Sequence, residues 1–196
     1  MAKKVLLFLL IFSLVVAIGV ALFLYDKVRE KEYNLGDYGI SIRLPGEFVK
    51  LDPNNDTHVL FMYGAKSKIT VSATALPINY WSSGDLDVIM DEYVRLLSSA
   101  KYECNFKDVS LNSTKINDVE VGKVELTIEY RTQSYRTITY IFGEDSGNIT
   151  LEFYGDPKDV NENLDLIEKI TKTIKIGPNG HDYKEFKIME TVKSGE

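Results

Sequence analysis

Residues 5–25 read VLLFLLIFSLVVAIGVALFLY and carry no charged side chain. A helix of this length rises about 31 Å, the thickness of the hydrocarbon core of a bilayer. Lys3 and Lys4 precede the run; Asp26, Lys27, Arg29, Glu30, Lys31 and Glu32 follow it. The Lys and Arg counts of the two flanks are similar and orient the segment only weakly. A short N-terminus is easily retained and an acidic remainder easily exported, so the reading is N-in, C-out. It gives a cytoplasmic N-terminus (1–4), a transmembrane signal anchor (5–25), a juxtamembrane spacer continuing the helix into water (26–36), an extracytoplasmic domain (37–176) and a hydrophilic tail read as disordered (177–196). The rival is a cleaved leader, with Gly19 and Ala21 at cleavage spacing and a secreted product. The apolar run continues through Leu22, Phe23 and Leu24, which favours the uncleaved anchor. No cysteine follows the run to take a lipid, and it lacks the early glutamate of a type IV pilin.

Beyond the anchor, composition narrows the partners. Hydrophobic residues make up 44% and charged residues 27%, enough of both for a packed core under a solvated surface. The net charge of −6 gains nothing from counterion release, so no nucleic-acid partner is expected. Anionic lipid would weakly repel such a domain, which points to contact with the bilayer through residues 5–25 alone. The single cysteine, Cys104, forms no internal disulfide and has no basic cluster nearby to activate it.

Period-two alternation marks strands at Ile40–Leu44, Val59–Tyr63 and Lys68–Leu76, with a short one at Phe48–Leu51. A helix capped by Ser83 or Asp85 runs to about Ala100, with Leu86, Ile89, Met90, Tyr93, Leu96 and Leu97 as its buried stripe. Val119–Tyr130, Tyr135–Phe142 and Asn148–Tyr154 form an antiparallel meander, with Gly122 read as a bulge. A second helix starts at Asp159 and buries Leu164, Ile167 and Ile170. Strands, helix, strands, helix make an α+β fold: a central antiparallel sheet flanked by helices, preceded by one transmembrane helix.

Three stretches then carry a family resemblance. Gly39-Ile-Ser-Ile-Arg-Leu-Pro-Gly-Glu-Phe48, Lys115-Ile-Asn-Asp-Val-Glu-Val-Gly-Lys123 and Leu166-Ile-Glu-Lys-Ile-Thr-Lys-Thr-Ile-Lys-Ile176, in this order and spacing, resemble the PsbP-like (Mog1/PsbP) superfamily over about Tyr38–Ile176. The resemblance implies a PsbP/Mog1-like sandwich. Its characterised branches are accessory proteins, a photosystem II extrinsic subunit and a Ran-binding import factor, and many bacterial members are exported or membrane-tethered. It brings no catalytic motif, cofactor or ion-handling residue that matches this chain.

The residues themselves offer little catalytic chemistry. Asp52, Asn54 and Asp56 occupy the first, third and fifth places of a calcium loop. Thr57 stands where the loop needs Gly and Tyr63 where it needs Glu, which leaves a polar turn. His58 and His181 are too few for a histidine-rich zinc site. No G-x-S-x-G, P-loop or Rossmann glycine pattern occurs. Asp85, Asp87 and Asp91 complement a helix N-terminus. Asn55, Asn112 and Asn148 head sequons that matter only in a glycosylating host.

No catalytic, metal or cofactor residue is therefore assigned. The candidate partner-binding residues are Trp81 and Tyr80, in the loop before the first helix. Trp81 either stands there as an exposed anchor or plugs one end of the core, the commoner fate of a tryptophan. The expectation is a membrane-anchored, extracytoplasmic, non-enzymatic binding or assembly module with a protein or envelope-polymer partner at the membrane. The alternatives are a cell-envelope hydrolase with a carboxylate-based site and a secreted binding protein.

Overall fold

The computed structural model describes Val16 and residues 29–35, 39–52, 58–76, 80–99, 104–143 and 149–176. The predicted anchor, apart from Val16, and the tail lie outside the described residues, as do most of the calcium-loop candidate, His181, Asn55 and Asn148. No helix among the described residues is long and apolar enough to cross a membrane.

Alternation of apolar residues builds two antiparallel sheets. Strands β3 (Phe48–Lys50), β4 (His58–Gly64), β5 (Thr70–Ala75), β6 (Cys104–Ile116), β7 (Val119–Tyr130), β8 (Gln133–Phe142) and β9 (Ile149–Gly155) form a seven-stranded sheet in the order β3-β4-β5-β9-β8-β7-β6. Strands β1 (Lys31–Asn34), β2 (Ile40–Leu44) and β10 (Lys175–Ile176) form a second sheet, with β2 between the other two. The helices are α1 (Leu86–Ser99), α2 (Pro157–Glu162) and α3 (Leu164–Thr171).

The pleat sends successive side chains to opposite faces, so β6, β7 and β8 of the large sheet feed two cores. On face 1, Val71, Ala73, Ile138, Tyr140, Phe142, Leu151 and Phe153 meet Ile40, Ile42 and Leu44 of β2 and Val160, Ile167 and Ile170 of α2 and α3. On face 2, Val124, Leu126 and Ile141 meet Ile89 and Met90 of α1 and Trp81. Each large side chain fully buried here contributes about 1.5–3 kcal/mol.

Local chemistry sets the helix ends. The Asp85 carboxylate accepts from the Asp87 N–H at 2.9 Å and starts α1. Asp156 likewise accepts from the Lys158 N–H at 2.9 Å, with Pro157 in the first turn of α2. The sequence-predicted second helix is broken at Asn163, whose side chain donates to the Ser67 carbonyl at 3.1 Å and the Asp159 carbonyl at 2.8 Å.

Four features differ from the sequence reading. The spacer predicted to prolong a helix holds strand β1 instead. Its Glu32 receives the Ser41 hydroxyl at 2.9 Å and meets Lys175 at 3.1 Å, which ties the strand down beside β2. Cys104–Ile116 is a long edge strand, where the sequence shows too little alternation to announce one. The sheet pairs without interruption through Gly122, and the irregularity lies at Lys107–Ser110 of β6. Gly122 serves another purpose: a Cβ there would lie 2.9 Å from Met90 Cγ, so the missing side chain is what lets α1 approach β7. Finally, the β2 strand stands in a separate layer and shares face 1 with the helices, so the central sheet is covered by a sheet as well as by helices.

Candidate functional site

Tyr80 and Trp81 do not share one environment. Trp81 is 5% exposed and sits in the core under α1, its indole N–H without a hydrogen-bond partner among the described residues. Tyr80 is 44% exposed and stands edge-on to Trp81, ring centroids 4.9 Å apart. The structure thus gives Trp81 the place of a core plug and leaves Tyr80 at the surface.

A site the sequence did not single out lies beside them. Helix α1 packs on β6 and β7, and its Tyr93 reaches across face 2 to Thr139 of β8 and Glu152 of β9. Register places Phe61, Ser72, Glu152 and Thr139 in one row across β4, β5, β9 and β8. The next row holds Tyr63, Thr70, Tyr154 and Thr137. On the other side, Thr74, Thr150 and Ile141 form a third row; Trp81 shares a core with Ile141, which sets the Tyr80–Trp81 pair at that end. The result is a patch of hydroxyls across the sheet, with Ser72, Thr137, Thr139 and Thr150 buried. Half-buried Phe61 and Tyr63 flank it on β4, and half-buried Tyr93 of α1 reaches it from the other side.

Glu152 lies between Ser72 and Thr139 in the first of these rows. The Ser72 hydroxyl lies 3.4 Å from its Oε2, the limit of a hydrogen bond, and the Tyr93 phenol also donates to it. The Tyr93 oxygen lies 3.2 Å from Thr139 Oγ1. Burial outweighs these donors and pushes the Glu152 carboxyl up to about 7. Burial, then the nearby Glu152 charge, also raises the phenols of Tyr93 and Tyr154 above the usual tyrosine range. At the far edge, His58 Nδ1 lies 3.0 Å from the Thr74 hydroxyl, and its ring stacks on Phe61 at 5.5 Å.

A second half-buried glutamate behaves oppositely. Glu125 of β7 lies on face 1, where Lys123 at 2.6 Å and Arg136 at 3.0 Å bracket its carboxylate. Burial alone would raise it; the two cations outweigh that and hold it below the usual carboxylate range. Glu125 and Glu152 project from opposite faces of the sheet, so they cannot act on one substrate as acid and base. Among the described residues no other carboxylate acts on Glu152. Among the described residues no group of His, Cys, Asp and Glu could hold a metal ion. Elsewhere, a cleft of about 380 Å³ between the β6–β7 hairpin and α3 holds Lys123 and Lys172, each already paired with a glutamate at 2.6 and 2.7 Å.

No family model matches this sequence, and no curated protein does. Solved structures do match in shape. The solution structure of cyanobacterial PsbP (CyanoP) from Synechocystis sp. PCC 6803 superposes with a TM-score of 0.57 at 7% identity, covering 76% of this chain and 94% of that one. The crystal structure of the Saccharomyces cerevisiae Ran-binding protein Mog1p gives a TM-score of 0.54 at 9% identity, covering 76% and 96%.

The fold is PsbP/Mog1-like.

At this identity the likeness concerns the backbone alone. Nothing in the sequence singles out Glu152: Ile149-Thr-Leu-Glu-Phe153 alternates, and a polar residue between two buried ones is the ordinary pattern of such a strand.

Proposed function

We propose that this chain is a membrane-tethered, extracytoplasmic binding or assembly module of PsbP/Mog1-like fold, acting on a partner held at the membrane. One observation carries the reading. The fold matched by CyanoP and by a Ran-binding protein accounts for nearly the whole of both those chains, and for 76% of this one. The domain therefore adds no large catalytic insertion to a scaffold that, in Mog1p, belongs to a binding protein. The chemistry of the sheet supports it, since among the described residues the carboxyl raised to about 7 has no carboxylate partner with which to divide acid and base roles.

Tethering rests on the uncharged run 5–25. Strand β1 begins at Lys31, six residues after that run, so the domain would be held close to the bilayer on a short leash. Photo-crosslinking from Tyr80 in intact cells, with residues 1–30 in place, tests the whole reading. A specific partner captured at the membrane, and lost when residues 1–30 are replaced by a cleavable leader, supports it. A domain recovered uncrosslinked from every surface position sampled would sink it.

A further inference from the structure

The cleft of about 380 Å³ between the β6–β7 hairpin and α3 falls within the size range of small-molecule sites. The hairpin turns at Asn117-Asp118, both with positive φ, and the Asn117 amide donates to the Ile174 carbonyl. That bond fixes the hairpin against the chain leaving α3. Register sets Lys123 of β7 beside Tyr140 of β8 on the cleft floor. Half-buried Thr114 lines it from β6, and Glu168 and Lys172 line it from the C-terminal turn of α3. Lys115 also borders the cleft, but the pleat turns its side chain to the face opposite that of Thr114.

The cleft holds more donors than the protein uses. Tyr140 is 6% exposed, and its ring packs edge-on against Phe153 in the core. Its phenol has no hydrogen-bond partner among the described residues and opens on the cleft. A buried polar group is costly to leave unpaired, and the cleft is where this one can find an acceptor. Lys123 and Lys172 each give an N–H to a glutamate, at 2.6 and 2.7 Å, and keep two more. Both pairings exchange easily. Glu125 retains Arg136 at 3.0 Å when Lys123 turns away. Glu168, held below the usual carboxylate range by Lys172 and then by Lys123, is 65% exposed and can swing into water at little cost.

These donors converge from β7, β8 and α3, and they are compact ammoniums and a phenol rather than a guanidinium fork. That arrangement suits a tetrahedral group with oxygens pointing several ways better than a planar carboxylate. Two ammoniums also balance the charge of about −1.5 to −2 that a phosphate ester carries. We propose that this cleft binds a small phosphate ester, its phosphoryl oxygens accepting from Tyr140 Oη, Lys123 Nζ and Lys172 Nζ. The site goes beyond the role of the domain as a binding module and does not depend on the tether.

The test is isothermal titration calorimetry on the full chain in zwitterionic detergent, with glycerol phosphate as probe and inorganic phosphate, succinate and glycerol alongside. Glycerol phosphate should bind saturably with a Kd below about 1 mM. Inorganic phosphate should compete with it, and succinate and glycerol should bind about tenfold more weakly or not at all. Tyr140→Phe keeps the ring in the core and should weaken binding about tenfold, the loss of one hydrogen bond to a charged group. It should leave stability to chemical denaturation unchanged, since the phenol has no protein partner to lose. Lys172→Ala should weaken binding by a similar factor, whereas Glu168→Gln, which removes a competing carboxylate, should tighten it about threefold. Circular dichroism of each variant confirms that the fold is kept. No saturable binding of glycerol phosphate, succinate binding as tightly as the ester, or unchanged affinity in a folded Tyr140→Phe variant would each overturn the proposal. Any of these results leaves the crosslinking test of the module untouched, so the two failures can be told apart.

Discussion

Glu125 and Glu152 sit on the same sheet, two strands apart, and meet opposite fates. On face 1, Glu125 is bracketed by Lys123 and Arg136 and stays ionised. On face 2, Glu152 has only neutral donors among the described residues and is pushed towards the protonated form. The difference follows from what surrounds each carboxyl. Face 1 is closed by a second sheet and two helices over a large apolar core, and there two cations offset the burial of Glu125. On face 2, Tyr93 of α1 and Ser72 of β5 meet Glu152 as neutral hydroxyls, and burial prevails.

The sharpest way to break this comparison is to empty the core of face 1. Phe153 is fully buried on face 1, its ring edge-on to Tyr140 at 6.1 Å. Phe153→Ala should cost about 3–5 kcal/mol, read from chemical denaturation, while Thr74→Ala on face 2 should cost well under half of that. Equal losses would mean that both faces are packed alike.

Next in size comes the pH dependence of stability. Glu152 has a folded value of about 7 against 4.5 for the free side chain. A carboxyl raised on folding stabilises the native state fully below the unfolded value, and the advantage is lost as pH rises through the folded one. Stability should therefore fall between about pH 4.5 and 7, by at most about 3 kcal/mol. Glu152→Gln should flatten this fall. Glu125 has the opposite sign: its depressed value contributes stability above 4.5 that is lost as acid protonates it. Glu125→Gln should thus weaken the acid limb and leave the limb near neutrality intact. Denaturation midpoints across pH for both variants separate the two faces directly.

A smaller effect tests how closely α1 seats on its half of face 2. A methyl at Gly122 would meet Met90 Cγ at 2.9 Å. The methionine chain can yield in part, so Gly122→Ala should cost about 1–3 kcal/mol. Pairing it with Met90→Ala should recover part of the loss, since the second change clears the space the first one fills. Full additivity would show that α1 does not press on β7.

Much of this fold could be read from residue patterns because alternation is strong where a strand faces a core. Ile40-Ser-Ile-Arg-Leu44 and the β7–β8–β9 meander alternate cleanly, and α1 carries its stripe at helical spacing. Strand β6 was missed for the reverse reason. It is an edge strand whose residues are mostly exposed or half-buried, so Lys107, Asp108, Asn112 and Lys115 break any period. Strand β1 was hidden by charge, its Glu32 and Lys31 suiting a solvated spacer as well as an exposed strand. The cluster around Glu152 was harder still. Ser72, Glu152 and Tyr93 are far apart in the chain and meet only when β5 pairs with β9 and α1 lies over β8. Trp81 shows the limit from the other side: residue type marks an anchor and a plug equally, and burial alone separates them.

Tyr80 carries the smallest effect on stability and the most direct bearing on face 2. Its ring is 44% exposed and touches the protein chiefly through Trp81. Tyr80→Ala should therefore change stability by no more than about 0.5 kcal/mol, because the core beneath is held by Trp81, Ile89 and Met90. Capture of a partner by a crosslinker placed at Phe61 or Tyr63 of β4 should nonetheless drop when Tyr80 is removed, since all three aromatics lie on face 2. A loss of stability as large as that from Phe153→Ala would make Tyr80 a structural residue. Unchanged capture would separate the loop from the β4 aromatics and confine recognition to β4.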